Sequence, residues 1–185
     1  MDILVHKTLL TFSLLVLSFG CIAQHWEKPP ARFYIFDTDK ATGEKRDLYT
    51  YLDKNVPGPE ENTCMATWEI FYFRVTGKGK IDSVFHEGTL REDVIRQIVK
   101  NIYATEGHWK TPKGSTATEK LWFVYPYFDF GGKSYLDSDC TEAEKLLQKN
   151  VIGLSNNLGK IRAYTGTNGA FFLQPYKIGA GYDKE

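Results

Sequence analysis

The run WEIFYFRVTGKGKIDSVFHEG, Trp68 to Gly88, constrains the fold more than any other stretch of the chain. Its first half alternates with period two yet is apolar on both sides, with Phe71, Phe73 and Val75 pointing one way and Trp68, Ile70 and Tyr72 the other. Gly77 and Gly79 permit a tight turn, so the run predicts a β-hairpin. In the second strand, Lys80 to Glu87, strict alternation puts Ile81 and Phe85 on one face and Asp82, Val84 and His86 on the other. A first strand that is apolar on both faces must be covered twice or present one face to a partner.

The next segment predicts an amphipathic helix over Leu90 to Glu106. Leu90, Val94, Ile98 and Ile102 recur every fourth position, and Ile95 and Val99 widen the stripe. Thr89 and Glu92 have the spacing of a capping box, and Gly107 is placed to end the helix. After HWKTPKG comes KLWFVYPYFDFGG, Lys120 to Gly132, which reads as a long strand. Pro126 removes a backbone donor midway, so the expectation is an edge strand or a bulge at that point. A second helix follows, with Thr141 and Glu144 as capping box, a stripe of Leu147, Val151, Leu154 and Leu158, and Gly159 as its stop. A final hairpin turning at Thr165 to Gly169 completes the reading. The expected fold is α+β: an antiparallel sheet on a β-β-α-β core, extended by a C-terminal helix and hairpin.

Upstream, Leu9 to Phe19 is an apolar run preceded by Lys7 and followed by small residues, the pattern of a secretory signal peptide over residues 1–23. It is shorter than the roughly 20 residues that span a bilayer. Cleavage after Ala23 fits best; lipidation at Cys21 is the alternative, and it would anchor the chain to a membrane. Residues 24–64 read as an N-terminal arm with short strands at Arg32 to Phe36 and Asp47 to Leu52, closed by the irregular VPGPEENTC. Residues 65–132 form the main domain and 133–185 the helix-hairpin extension. In an oxidising compartment Cys64 and Cys140 either form one disulfide or sit as two small buried thiols; the sequence leaves both open.

The order strand, glycine turn, strand, helix, HW-x-x-P-x-G, strand resembles the C-terminal domain of the TonB family of periplasmic energy transducers. FYFRVTGKGKIDSVFHEG, REDVIRQIVKN, HWKTPKG and LWFVYPYFDF carry the resemblance, which spans Ala66 to Phe130, about a third of the chain. The chain departs from that family in having no Pro-rich spacer and in carrying the segment Lys133 to Glu185. The resemblance implies the fold, a periplasmic or secreted setting in a Gram-negative envelope, and an edge strand that accepts an extended peptide. Coupling to inner-membrane energy does not carry over.

Little in the chain advertises catalysis. Lys plus Arg and Asp plus Glu both count 23, so there is no electrostatic footprint for nucleic acid. His25, His86 and His108 belong to no metal-ligand spacing. The acidic loop Asp37 to Glu44 fails the calcium-loop pattern, with Thr42 at the sixth position and Leu48 at the twelfth. Asp137, Asp139, Glu142 and Glu144 suit a helix N-terminus, and Ser155 is no nucleophile elbow. No catalytic residue, cofactor or metal is therefore expected. The aromatic load points to binding: Trp122, Val124, Tyr125, Tyr127 and Phe128 are the candidate partner-binding edge, for an envelope protein or extended peptide. The alternatives are an anchored accessory of TonB-dependent outer-membrane transport and a small periplasmic enzyme.

Overall fold

The computed structural model describes residues 34–38, 43, 45–160 and 170–179, all within one compact unit. The signal segment, its cleavage site, Cys21 and the Thr165 to Gly169 turn lie outside the described residues. Among the described residues, two sheets and three helices make an α+β fold whose larger sheet is mixed and mostly antiparallel.

The smaller sheet belongs to the arm. β1 (Tyr34–Thr38) pairs antiparallel with β2 (Lys45–Asp47) on one side and with β5 (Trp109–Lys110) on the other. The strand expected over Asp47 to Leu52 is instead a short helix, α1 (Leu48–Leu52). Asp47 is its cap: the Asp47 carboxylate accepts from Thr50 N–H at 3.0 Å, and Thr50 Oγ1 accepts from Asp47 N–H at 3.4 Å. That reciprocal pair satisfies the orphan donors of a helix start, and it overrides the β-type composition of LYTYL. Ile35, Leu48 and Leu52 join the main core, so the described part of the arm, residues 34–38 and 45–64, is built into the domain rather than appended to it.

The larger sheet starts with the expected hairpin, β3 (Thr67–Thr76) and β4 (Ile81–Gly88). Gly79, at φ +72°, sits in its turn, where Lys80 C=O accepts from Thr76 N–H at 2.9 Å. The register slips between Arg74 and Val75, so that Arg74 faces Ser83 while Val75 faces Ile81. This bulge breaks strict alternation: Ile81 shares the core face with Val84 and His86, and Phe85 points to the opposite face.

The helix α2 (Glu92–Tyr103) covers the core face with Val94, Ile95, Ile98 and Ile102. Full burial of Ile98 and Ile102 contributes roughly 1.5–3 kcal/mol each. Its start differs from expectation. The N-cap is Arg91, which makes no side-chain cap, and Thr89 Oγ1 instead accepts from Trp68 N–H at 3.4 Å.

β6 (Lys120–Asp129) pairs with β3 in unbroken antiparallel register from Thr67↔Asp129 to Thr76↔Lys120. Its other side is also occupied. β7 (Ala170–Phe172) pairs parallel with Trp122–Val124, and β8 (Tyr176–Ile178) pairs parallel with Tyr127–Asp129. The second arm of the expected hairpin is therefore two short strands along one neighbour, while its first arm and its turn lie outside the described residues, and the sheet order is β4-β3-β6, then β7 and β8.

Pro126 is accommodated without an edge position. Val124 C=O accepts from Leu173 N–H and Phe130 N–H donates to Ile178 C=O, both at 2.8 Å, so even-numbered residues of this strand aim their polar groups at β7 and β8. Pro126 thus meets the break between them, where Gln174 turns its N–H to Tyr49 Oη at 2.6 Å and Pro175 has none to offer.

The helix α3 (Glu142–Lys160) covers part of the second face, packing Val151 on Ala66, Phe128 and Phe130. The Thr141–Glu144 capping box forms, with Glu144 Oε2 accepting from Thr141 N–H at 2.8 Å and Thr141 Oγ1 from Glu144 N–H at 3.3 Å. The buried line of the helix is Gln148, Val151 and Ser155, while Leu147 and Leu154 of the expected stripe are 37% and 40% exposed. Gln148 sets this rotation by donating to the carbonyls of Phe130 and Lys133, which lie just past the end of β6. A disulfide joins Cys64 to Cys140 across a Cα–Cα distance of 5.7 Å and ties the chain before β3 to the start of this helix. Gly131 and Gly132 make room for it: a Cβ at Gly132 would lie 2.3 Å from Glu61 C=O.

Candidate functional site

The residues singled out for a binding edge do not lie at one. Val124, Tyr125, Tyr127 and Phe128 are 5% exposed or less, and Trp122 is half-buried, because β6 is flanked on both sides by strands. Two-sided aromatic composition here marks an interior strand rather than a docking strand.

The edge is β4, which among the described residues pairs with β3 alone. Thr89 N–H donates to Trp68 C=O at 2.7 Å, and antiparallel alternation from that bond turns the polar groups of Glu87, Phe85 and Ser83 toward β3. Gly88, His86 and Val84 therefore aim N–H and C=O outward. Just beyond the bulge the next outward donor, Ile81 N–H, is closed off by Glu106 Oε1 at 2.8 Å.

On the sheet face not covered by α2, this edge borders an aromatic cluster. The Phe85 ring is 52% exposed, stacks on Tyr72 with centroids 4.8 Å apart, and meets Trp122 edge-on at 5.4 Å. The Arg74 guanidinium lies 5.0 Å above the Trp122 ring and donates to Asp82 through Nε at 2.7 Å and Nη2 at 3.3 Å. Lys120 Nζ reaches the same carboxylate at 2.8 Å. Arg74 first, then Lys120, hold the Asp82 carboxyl below its ordinary range. At the other end, Tyr72 O–H donates to Glu87 Oε1 at 2.8 Å; burial and that carboxylate push the Tyr72 hydroxyl up to about 12.

On the core face, His86 Nδ1 lies 2.7 Å from Oε1 of the buried Glu69, whose Oε2 accepts from Leu90 N–H at 3.3 Å. This pair fixes the end of β4 against the chain entering α2. His86 is thus a structural partner and not a bare surface histidine.

No family model matches the chain, and no curated protein or solved structure matches it.

A second polar cluster lies under α1. Tyr125 O–H donates to Asp53 Oδ1 at 2.6 Å, and burial pushes the Asp53 carboxyl up to about 6. Burial likewise raises Asp129, opposed by the Gly131 N–H that donates to Asp129 Oδ1 at 2.8 Å. The buried Tyr127 hydroxyl has no hydrogen-bond partner among the described residues and is also raised by burial. The side chain bonded to the Asp53 carboxyl is the Tyr125 hydroxyl, which burial, and then the Asp53 charge, hold well above its ordinary pKa. Among the described residues no group of three His, Cys, Asp or Glu side chains is placed to hold a metal ion, and no helix is long and apolar enough to cross a membrane.

The sequence carried a signal for the true edge that composition alone hid. Asp82, His86 and Glu87 interrupt the second strand of the hairpin, and charged residues in a β-type run are the usual guard of an exposed edge. The Asp53–Tyr125 pair joins residues 72 positions apart and has no local signature.

Proposed function

We propose that the chain is a non-catalytic binding module of the bacterial envelope, resembling the TonB C-terminal domain, that recognises an extended segment of another envelope protein by adding it as a strand beside β4. The observation that carries this reading is the row of outward main-chain groups on Val84, His86 and Gly88 next to an exposed phenyl ring. Main-chain pairing supplies affinity in such recognition, and side-chain pockets supply choice of partner. The β-β-α-β order with the helix on one sheet face supports the resemblance, and the signal-like N-terminus supports a periplasmic or secreted location.

Val84→Pro tests the reading. The proline removes one outward donor and no β3–β4 hydrogen bond, so the hairpin persists while the template for a new strand is broken. A photo-crosslinking amino acid at Phe85 should trap a defined adduct in the native envelope, and Val84→Pro should abolish it. Persistence of the same adduct in the proline variant would rule strand addition out.

A further inference from the structure

We infer that β4 selects extended segments with the pattern basic–x–apolar, read from N- to C-terminus, paired antiparallel to it. This inference rests on the strand-addition reading and concerns which partner the edge accepts. In an antiparallel pairing, an added strand would form hydrogen-bonded pairs at Val84, His86 and Gly88. Non-hydrogen-bonded pairs would then form at Phe85 and Glu87, the positions where opposing side chains approach most closely. Phe85 and Glu87 share the sheet face that carries the aromatic cluster, so the two discriminating contacts stand side by side.

Their chemistry differs in a way that orders the partner. Phe85 offers a half-exposed ring flanked by Tyr72 and Trp122, which an aromatic or large aliphatic side chain would cover. Glu87 is exposed, and among the described residues it accepts only from the Tyr72 hydroxyl and pairs with no cation. Asp82, at the far end of the strand, already faces two cations, Arg74 and Lys120. The carboxylate of this edge that lacks a cation among the described residues is therefore Glu87, at the opposite end from the Arg74–Lys120 pair. A lysine or arginine opposite Glu87 and an apolar residue opposite Phe85 lie two positions apart on the incoming strand, with the basic residue first because the strands run oppositely. A small or polar residue opposite Ser83 completes the pattern.

The probes are two fluorescein-labelled peptides, Ser-Thr-Lys-Thr-Phe-Thr-Ser and its twin with glutamate in place of lysine, titrated by fluorescence polarisation against the whole secreted chain. The lysine peptide should bind about fivefold more tightly than the glutamate twin at low salt, the size expected from one cross-strand charge pair, with the gap closing as salt rises. Glu87→Gln, which keeps an acceptor for Tyr72, should erase the difference, and Glu87→Lys should invert it. Val84→Pro should abolish binding of both peptides. Equal binding of the two peptides to the native chain would overturn the selectivity and leave strand addition standing. No binding of either, or binding indifferent to Val84→Pro, would overturn strand addition and the selectivity with it.

Discussion

At the scale of single residues, Asp53 gives the clearest pH signature. Folding raises its pKa from 3.8 to about 6, chiefly by burial, so the folded chain holds more of this proton than the unfolded chain between those values. The contribution of Asp53 to stability is therefore full below about pH 4, falls as pH rises to about 6, and is flat above. Asp82 has its pKa lowered and acts in the opposite sense. Asp53→Asn retains an acceptor for the Tyr125 hydroxyl and should isolate the effect: the melting temperature of the native chain relative to the variant should drop between pH 4 and pH 7. A difference that stays constant across this range would show that Asp53 does not titrate near 6. The same scale explains the turn of α3, where one buried glutamine outweighs two leucines because the carbonyls of Phe130 and Lys133 gain a donor there while the leucine methyls stay partly exposed.

At the scale of elements, the two long helices differ in what holds them. Ile98 of α2 is fully buried against Phe71, Phe73 and the rest of the main core, so Ile98→Ala should cost about 2–5 kcal/mol in urea unfolding. Leu154 of α3 is 40% exposed, and Leu154→Ala should stay within about 0.5 kcal/mol. The α2 stripe was legible in the sequence because it is apolar at every position that meets the sheet. The α3 stripe was not, since its orientation follows from carbonyls of a different element. Likewise, the hairpin and the long strand of Lys120 to Asp129 could be read from alternation, but the bulge opposite Arg74 could not, and it decides that Phe85 rather than Ile81 is left outside.

At the scale of the whole molecule, one covalent link joins distant parts. Cys64 and Cys140 are 76 positions apart, and closing a loop of that length lowers the entropy of the unfolded chain by an amount worth about 4 kcal/mol. The double variant Cys64→Ala/Cys140→Ala should lose up to that stability, with a lowered urea midpoint. An unchanged midpoint would mean that the bridge constrains nothing in the unfolded chain. The link also explains how the arm and the C-terminal extension come together as parts of one domain. Glu61 and Thr63 lie against Gly131 and Gly132, and the disulfide closes the same junction.

The sequence by itself determined the α+β class, the hairpin, the stripe of α2, the long aromatic strand and the two cysteines that could meet. These follow from periodicity and local chemistry, which act between residues a few positions apart. Only the tertiary structure decided which strand is an edge. Strand order depends on where residues 170–178 return, and they return along β6, burying the strand whose aromatics suggested docking and leaving β4 exposed. An interior strand and a sticky edge share the same apolar alternation. The neighbours alone tell them apart, and those neighbours come from the far end of the chain.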